Sequence, residues 1–381
     1  MSIKNILSKT VKDLSAKKGF SFGPGKPHTA DQYGVGDVPA WIPFGITLID
    51  QSLGGGLPLG RISELFSEQE SEGKTTLILH AAAQCQKAGG VVVFLDSEAA
   101  LDRPRASRIG LDLSQVITTG PASVEDGFEF IDALVKNISE DKELHGVPTL
   151  IIWDTIAAAP TRGEKAGDPF AGGMTEKPRI ISRALRNYVA EFFKYRVHLC
   201  LVNQSITNID NKNPYGPKYI TPGGKAIKFF STLRIKCKRT GYVGESRSLG
   251  VGDQRTGIKV TVDAVKNKLA TPSQRTESVL IGATGYNETL SLAEFLLTNK
   301  VNECIEQKGA WIYLPGDRKC YWKNLEQLVE SNPDILAKWQ AEARKRISVP
   351  PNRKLNAQGW YERDVALPLE EDEETEEAPA E

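Results

Sequence analysis

Residues 61–76 read RISELFSEQESEGKTT, a short apolar strand followed by a polar loop and the start of a helix. A phosphate site needs inward-facing backbone N–H groups at a helix N-terminus, a lysine for the β- and γ-phosphates, and a hydroxyl for Mg²⁺. Gly73, Lys74 and Thr75 provide these groups in the right order. The stretch therefore predicts a nucleotide-binding loop in an α/β fold, formed by Glu70, Ser71, Glu72, Gly73, Lys74, Thr75 and Thr76.

The front half of this loop departs from the usual GxxxxGK[ST] pattern. Its first glycine would fall at position 68, where the chain has Glu68. The substitution removes a residue that easily adopts positive φ. It also makes Glu68 one of three glutamates in a loop meant for a triphosphate. Because GKTT alone is a weak signal, the interpretation depends on polar residues at the ends of later strands.

Three later apolar runs each end in a polar side chain. The run at 91–96 is followed by Glu98, the run at 150–154 ends in Asp154, and the run that begins at 198 leads to Gln204. Runs without polar alternation indicate strands covered on both faces, and their carboxyl ends meet at one edge of a parallel sheet. There Glu98 could activate water, Asp154 could bind Mg²⁺, and Gln204 could sense the γ-phosphate. The simpler alternative is that each acid only caps the following helix.

The whole chain predicts an α/β fold with a mostly parallel, doubly wound sheet and a β extension. An isolated apolar stripe indicates an N-terminal helix at residues 3–14, before a Gly/Pro-rich linker that ends at Pro43. A hairpin is expected at Gly309–Gly316, and Pro350-Pro351 is expected to open a weakly structured tail. The predicted divisions are residues 1–43 (helix and linker), 44–284 (core), 285–347 (small α+β domain) and 348–381 (flexible acidic tail).

Composition limits the class of protein. The chain has 381 residues, 40% of them hydrophobic, and five scattered cysteines without a CxxC pair, which favours buried thiols over disulfides or a zinc ribbon. No apolar run reaches the roughly 18 residues of a membrane span, so we expect a cytoplasmic protein without a membrane partner. Residues 370–381 contain eight acids, which leaves a basic body. Such a tail either competes with a polyanion for the basic surface of the protein or only aids solubility.

Five further stretches carry a resemblance to a known family: SLGGGLPLGRI (52–62), EAALD (98–102), TPGGKAIKF (221–229), VKNKLA (265–270) and KGAW (308–311). Together they resemble the bacterial recombinase A (RecA) family over about residues 44–347. The resemblance implies a RecA-like P-loop ATPase core that uses ATP and Mg²⁺. It further implies a DNA-dependent ATPase that forms helical filaments of itself on single-stranded DNA and pairs that strand with homologous double-stranded DNA.

The resemblance also implies roles for individual residues at the nucleotide. Lys74 and Thr75 would hold phosphates and Mg²⁺, with Asp154 as the other metal ligand. Asp102 matches a position that contacts adenine. Lys266 and Lys268 match a pair that reaches the ATP of the neighbouring subunit, and Phe229 matches an interface residue that couples adjacent sites. Two lysines supplied by a neighbour would make hydrolysis depend on assembly, in the manner of an arginine finger.

Two loops would face DNA if the resemblance holds, at Gly167–Pro178 and Ser205–Pro222. Glycine-rich loops with single apolar residues suit insertion between bases, while neighbouring basic residues hold phosphates. The expected DNA-binding residues are Met174, Arg179, Arg186, Ile209, Gly223, Gly224 and Lys225.

The sequence also differs from the family, and these differences leave rival interpretations open. Ala99 replaces a common histidine, Arg105 replaces an aromatic residue expected on adenine, and Thr261 and Asp263 replace basic residues that bind a second duplex. The changes at Thr261 and Asp263 weigh against homologous pairing more than against single-strand binding. Glu68 and the acids beside it favour an accessory, filament-forming paralogue with weak or no ATP hydrolysis. A hexameric helicase or clock-type ATPase is a third alternative, but the lysine pair and the KGAW stretch argue against it.

Overall fold

A nine-stranded sheet forms the centre of the protein, in the order β13-β12-β11-β10-β3-β7-β6-β4-β5. The computed structural model describes residues 9–10, 12–13, 16, 38–99, 101–166, 176–207, 219–245, 254–272, 274–281, 283–347, 349–350 and 353–363. The strands are β1 (Ala40–Ile42), β2 (Leu57–Pro58), β3 (Ile62–Ser67), β4 (Val91–Asp96), β5 (Val116–Thr119), β6 (Thr149–Asp154), β7 (Val197–Gln204), β8 (Ile206–Thr207), β9 (Tyr219–Ile220), β10 (Leu233–Glu245), β11 (Gln254–Asn267), β12 (Arg275–Ile281), β13 (Gly285–Asn287), β14 (Glu306–Lys308), β15 (Trp311–Leu314), β16 (Arg318–Tyr321), β17 (Arg353–Leu355) and β18 (Tyr361–Arg363). The helices of four or more residues are α1 (Thr47–Leu53), α2 (Lys74–Lys87), α3 (Arg103–Ile109), α4 (Val124–Glu140), α5 (Arg162–Lys165), α6 (Glu176–Lys194), α7 (Gly224–Phe230), α8 (Glu288–Thr298), α9 (Leu325–Glu330) and α10 (Pro333–Arg346).

Six neighbouring strands, from β10 to β5, run parallel, which confirms the predicted α/β fold. Helices cover both faces of this part of the sheet, so its strands need no polar side. On one face α2 buries Leu77 and Ile78. On the other, Phe128 of α4 lies edge-on against Trp153 of β6, with 5.1 Å between the ring centroids. The strand, loop and helix start predicted at 61–76 are confirmed, as are the strands predicted at 91–96, at 150–154 and from residue 198.

The β extension is antiparallel, as expected, but longer than the pattern indicates. Strands β10 and β11 pair from Leu233↔Asn267 to Glu245↔Gln254, well past the end of the parallel strands. Strands β12 and β13 continue the sheet beyond β11. Beyond Cys237, β10 has lost its neighbour β3 and pairs with β11 alone, so the hydrophobic pattern that marks a covered strand fades there.

The segment after β13 packs three helices around a small sheet. Its core includes Trp339, whose indole N–H donates to the Cys304 carbonyl at 3.1 Å. Leu48 of α1 and Val279 of β12 belong to the same buried cluster. The hairpin predicted at Gly309–Gly316 is misplaced, since it contains β15 and the turn but not the returning strand β16. The domain boundary at residue 285 stays a prediction.

A second sheet joins two parts of the chain that were expected to lack regular structure. Its order is β17-β18-β1-β2. The linker interpretation is wrong for residues 40–42, and the tail interpretation is wrong for residues 353–363. These strands have only two or three residues each, too few for a periodic pattern. Their partners are also remote in the chain: beside this sheet the Gln51 side chain bonds Tyr361, 310 residues later. Most of the helix predicted at 3–14 and all of the acidic run 370–381 lie outside the described residues.

All five cysteines are buried and unpaired, as the scattered positions predicted. Within the part of the chain that the structure describes, none of the helices has the length and apolar character to span a membrane.

Candidate functional site

The phosphate loop ends at the N-terminus of α2. Gly73 occupies the capping position with φ of 86°, and no side chain caps the helix. The first N–H groups of α2 thus remain available to an anion, with the helix dipole behind them. The Lys74 ammonium donates to the Ser67 hydroxyl at 2.6 Å, which holds it beside the loop. This geometry fits the phosphates of a nucleotide.

Thr75 and Asp154 form the candidate Mg²⁺ site. The Thr75 hydroxyl donates to the Asp154 carboxylate at 2.6 Å. Burial raises the pKa of Asp154 to about 6, and the nearby Glu98 charge adds to this effect. Among the described residues no group of three or more His, Cys, Asp or Glu could hold a metal ion. One carboxylate and one hydroxyl nevertheless fit Mg²⁺ when substrate phosphates complete its coordination.

Glu98 lies at the same edge of the sheet. Its carboxylate accepts a hydrogen bond of 2.7 Å from the Thr155 hydroxyl, directly after Asp154. The register Asp96↔Asp154 places β4 and β6 side by side at their carboxyl ends. The peptide bond between Asp154 and Thr155 is cis. A carboxylate held in this way, next to the metal position, can orient and deprotonate a water molecule.

Gln204 ends β7 in register with Ser67 of β3. Since Ser67 accepts from Lys74, Gln204 lies beside the phosphate loop. Its backbone N–H donates to the Asn203 side chain at 3.1 Å, and the Asn203 amide donates to the Pro222 carbonyl at 3.0 Å. The end of β7 is therefore connected to both ends of the second predicted DNA loop, Ser205–Pro222.

Two of the three glutamates of the loop are bonded, one to a basic group and the other to backbone N–H groups. Glu68 pairs with the Lys236 ammonium at 2.6 Å. Glu72 is buried, and its carboxylate accepts from the backbone N–H groups of Glu68, Gln69 and Arg239 at 3.1–3.2 Å. These contacts offset two of the negative charges and anchor the loop to β10. Sequence reasoning missed Lys236, although the alternation Arg234, Lys236, Lys238 along β10 was a usable signal.

Asp102 caps α3 and accepts from the backbone N–H of Arg105 at 3.0 Å. The Arg105 guanidinium pairs with Asp102 and also donates to the Thr76 hydroxyl at 3.2 Å. Arg105 thus lies over the start of α2, where the resemblance predicts an aromatic residue against adenine. Asp102 therefore caps a helix, a role that was not predicted for this residue from the sequence, while its contact with adenine stays a prediction.

Comparison with known proteins agrees with this geometry. A family model described as the RecA N-terminal domain matches residues 27–287. The chain belongs to the RecA family. It is 31% identical to Protein RecA of Fusobacterium nucleatum over 345 residues, 90% of this chain and 86% of that protein. It is 32% identical to Protein RecA of Clavibacter michiganensis, over 81% of each chain, and of Streptomyces avermitilis, over 81% of this chain and 77% of that one.

A second cluster of predicted residues in this RecA-family chain lies around the C-terminus of α7. Phe229 is 70% exposed, and the Lys268 ammonium lies 5.9 Å from the centroid of its ring. The Lys266 ammonium donates to the Lys228 carbonyl at 2.5 Å and to the Phe229 carbonyl at 3.2 Å. Burial, followed by repulsion from Lys268, lowers the pKa of Lys266 to about 8. The structure therefore gathers the three predicted interface residues on one face.

The expected DNA-binding residues are described in part. Met174 and Ile209 lie outside the described residues. Arg179 and Arg186 are exposed on α6. Gly223 caps α7 with φ of 90°, and Gly224 and Lys225 begin that helix. A cavity of about 400 Å³ between the two helices is lined by Ser182, Arg186, Lys225, Ala226, Phe229 and Phe230.

Proposed function

We propose that this RecA-family chain is an ATP-dependent recombinase that polymerises on single-stranded DNA and promotes homologous pairing and strand exchange. The observation that carries the proposal is the coexistence of two separate clusters in one subunit. One cluster, around Lys74, is a nucleotide site at the carboxyl edge of the sheet. The other, around Phe229, offers two lysines and an exposed aromatic ring to a neighbour. Recombination and repair of DNA in the cytoplasm are the processes that such an activity serves.

Within a subunit, each group has a chemical role in ATP hydrolysis. The N–H groups of α2 and the Lys74 ammonium bind the phosphates, and Thr75 with Asp154 would hold Mg²⁺. The metal supplies neutralisation of phosphate charge when bound. Glu98 orients the attacking water and accepts its proton. Gln204 lies where loss of the γ-phosphate changes its hydrogen bonding, and Asn203 passes that change to Pro222.

Between subunits, Lys266 and Lys268 would contact the ATP of the neighbour. Positive charge supplied from outside the site stabilises the charge that builds up on the transferred phosphoryl group. A head-to-tail contact of this kind generates an open helical filament when its rotation does not close into a ring. Arg179, Arg186 and Lys225 would hold DNA phosphates, and each such contact contributes about −0.7 to the log–log salt slope on a single strand.

The contacts of the loop glutamates remove part of the reason for the accessory-paralogue alternative. It arose from three glutamates facing a triphosphate, but Glu68 bonds Lys236 and Glu72 bonds backbone N–H groups. The charge that remains in the loop is that of Glu70, which is exposed. Hydrolysis is therefore compatible with the unusual loop.

Electron microscopy and phosphate release test the proposal together. With single-stranded DNA and ATP or a slowly hydrolysed analogue, we expect helical filaments of the wild-type protein. We expect Lys74→Ala to lower DNA-stimulated phosphate release by about 10²–10³-fold, as for loss of one preorganised charge-stabilising group. Closed rings would support the helicase alternative. Filaments with equal background rates in both proteins would support the accessory paralogue.

A pH dependence is expected from the lowered pKa of Lys266. A lysine with a pKa of about 8 is charged below that pH and neutral above it, and only the charged form attracts a phosphate. At pH 9, roughly one free subunit in ten keeps the charge. We expect DNA-dependent turnover at limiting protein concentration to fall above pH 8. Lys266→Arg, whose guanidinium stays charged, should extend the plateau to about pH 9.5. An identical decline in that variant would contradict this assignment.

A further inference from the structure

The hairpin of β17 and β18, here called the clasp (residues 353–363), packs against the segment that carries the lysine pair. Trp41 of β1 pairs with Tyr361 of β18. Leu269, next to Lys268, packs against the buried cluster that contains Trp41 and Tyr361. The Tyr361 hydroxyl also accepts from the Gln51 side chain of α1. The clasp is thus anchored on the core on one side and touches the lysine segment on the other.

Arg353 makes the direct connection. It is 7% exposed, its guanidinium carbon lies 3.9 Å from the centroid of the Trp41 ring, and one terminal nitrogen donates to the Leu269 carbonyl. Within the described part of the chain, its Nε and Nη1 atoms have no hydrogen-bond partner. Burial lowers the pKa of Arg353 to about 10. No carboxylate pairs with it among the described residues, so this buried cation is costly for folding alone.

The contact of Arg353 matters for the lysine segment because the sheet ends within that segment. The ladder between β10 and β11 ends at Leu233↔Asn267, so Lys268 lies just beyond the last pair. The Asn267 side chain accepts from the N–H groups of Leu269 and Ala270 at 2.9 and 3.0 Å and shapes the turn. These two bonds are internal to the turn. The Asn267 amide also donates to the Leu53 carbonyl at 3.0 Å, and the Lys268 N–H donates to the Thr232 carbonyl at 3.1 Å. Arg353 adds a third long-range contact on the far side of Lys268, where it ties the Leu269 carbonyl to the core through Trp41.

Gly54 lies where α1, the turn after Lys268 and the clasp come into contact. Its φ is +79°, and a Cβ atom there would lie 2.6 Å from the Ala270 methyl and 2.7 Å from Nη1 of Arg353. Neither separation is tolerated by real side chains. The glycine therefore lets α1, the turn after Lys268 and the clasp approach at one point.

We propose that the clasp positions Lys266 and Lys268 for the nucleotide of a neighbouring subunit, with Arg353 as the positioning residue. The proposal rests on the proposed function only in that the two lysines act across the filament interface. Arg353 itself touches neither nucleotide nor DNA. It fixes the turn from which Lys268 extends. Removing the Arg353 side chain should therefore lower the rate of ATP turnover without changing the subunit's own nucleotide site.

The test compares Arg353→Ala, Arg353→Lys and Lys354→Ala in the full chain. Lys354 is the matched control, because it carries the same charge on the exposed face of the same strand. We expect Arg353→Ala to lower the kcat of DNA-dependent ATP turnover about tenfold or more, since small displacements of a reacting group are costly. The affinity of the unassembled subunit for a fluorescent ATP analogue should stay at the wild-type value. Arg353→Lys should fall in between, because lysine cannot both stack on Trp41 and donate to Leu269 as a planar fork does.

Hydrogen exchange provides a readout independent of turnover. In Arg353→Ala the Leu269 and Ala270 amides should exchange faster, while amides in the middle of β10 and β11 keep their protection. Wild-type kcat in an active Arg353→Ala protein overturns the proposal. If that variant does not fold, full activity of Arg353→Lys overturns it instead. If the wild type lacks DNA-dependent turnover, the proposed function fails, and unchanged exchange at Leu269 would then refute the clasp separately.

Discussion

Replacing Lys266 and Lys268 together with alanine should lower DNA-dependent ATP turnover by about 10³-fold, the lower end of the effect of an arginine finger. Nucleotide binding by the unassembled subunit should stay unchanged. The reason is spatial: both ammonium groups lie around Phe229, and Lys266 bonds the last turn of α7 in its own subunit. The phosphate loop of the same subunit instead uses Lys74. Single-turnover phosphate release and equilibrium nucleotide binding measure the two quantities separately.

Mixed filaments show whether the two lysines act on the nucleotide of the neighbouring subunit or whether their loss only inactivates their own subunit. The double variant keeps its own nucleotide site, whereas Lys74→Ala keeps its lysine pair. In a random equal mixture, about a quarter of all sites combine an intact loop with an intact neighbouring pair, because the contact is head-to-tail. We expect the mixture to regain activity that neither protein has alone. A mixture as inactive as its components would show that the lysines do not act across the interface.

Replacing Arg234 with alanine should destabilise the protein by about 3–5 kcal/mol, the usual result of leaving a buried charge without its partner. The Glu64 side chain is fully buried and bonds the Arg234 guanidinium at 2.5 Å. Its other partner is the neutral Asn203 amide, at 3.1 Å. Equilibrium unfolding in urea measures the loss, seen as a lower midpoint at unchanged slope.

Arg275 supplies the control for that experiment. It pairs with Asp263 at 2.7 Å, but its side chain is 68% exposed. Arg275→Ala should therefore cost less than about 1 kcal/mol. Combining Arg234→Met with Glu64→Gln should recover much of the stability, because no buried charge then lacks a partner. Equal losses for Arg234→Ala and Arg275→Ala would contradict this account of the Glu64 pair.

Much of the nucleotide site could be predicted because its signals are local. Each of Lys74, Glu98, Asp154 and Gln204 lies in or just after a strand or at the start of a helix that the hydrophobic pattern defines. In parallel strands, position along the chain determines which edge a residue reaches. The sequence alone was therefore enough to bring these side chains together.

The remaining features depend on contacts between distant parts of the chain. The direction of Glu68 is set by Lys236, which lies on a strand that the sequence does not link to the loop. The sheet of β1, β2, β17 and β18 is held by buried aromatic residues, Trp41 and Tyr361 among them, rather than by an alternating pattern. Asp102 illustrates a third difficulty, since an acid can cap a helix and still lie near a ligand.

The sheet that unites β1 and β18 also has a consequence for the order of folding. Its strands meet only after almost the whole intervening chain has been brought together, and such closure carries an entropic cost that grows with separation. Contacts of this range form late and slow the approach to the native state. With strands of two or three residues, the same sheet has few bonds to resist local opening. Because Trp360 and Tyr361 of the clasp are buried, side-chain burial rather than strand pairing holds it in place, and we expect it to dock after the ATPase core has formed.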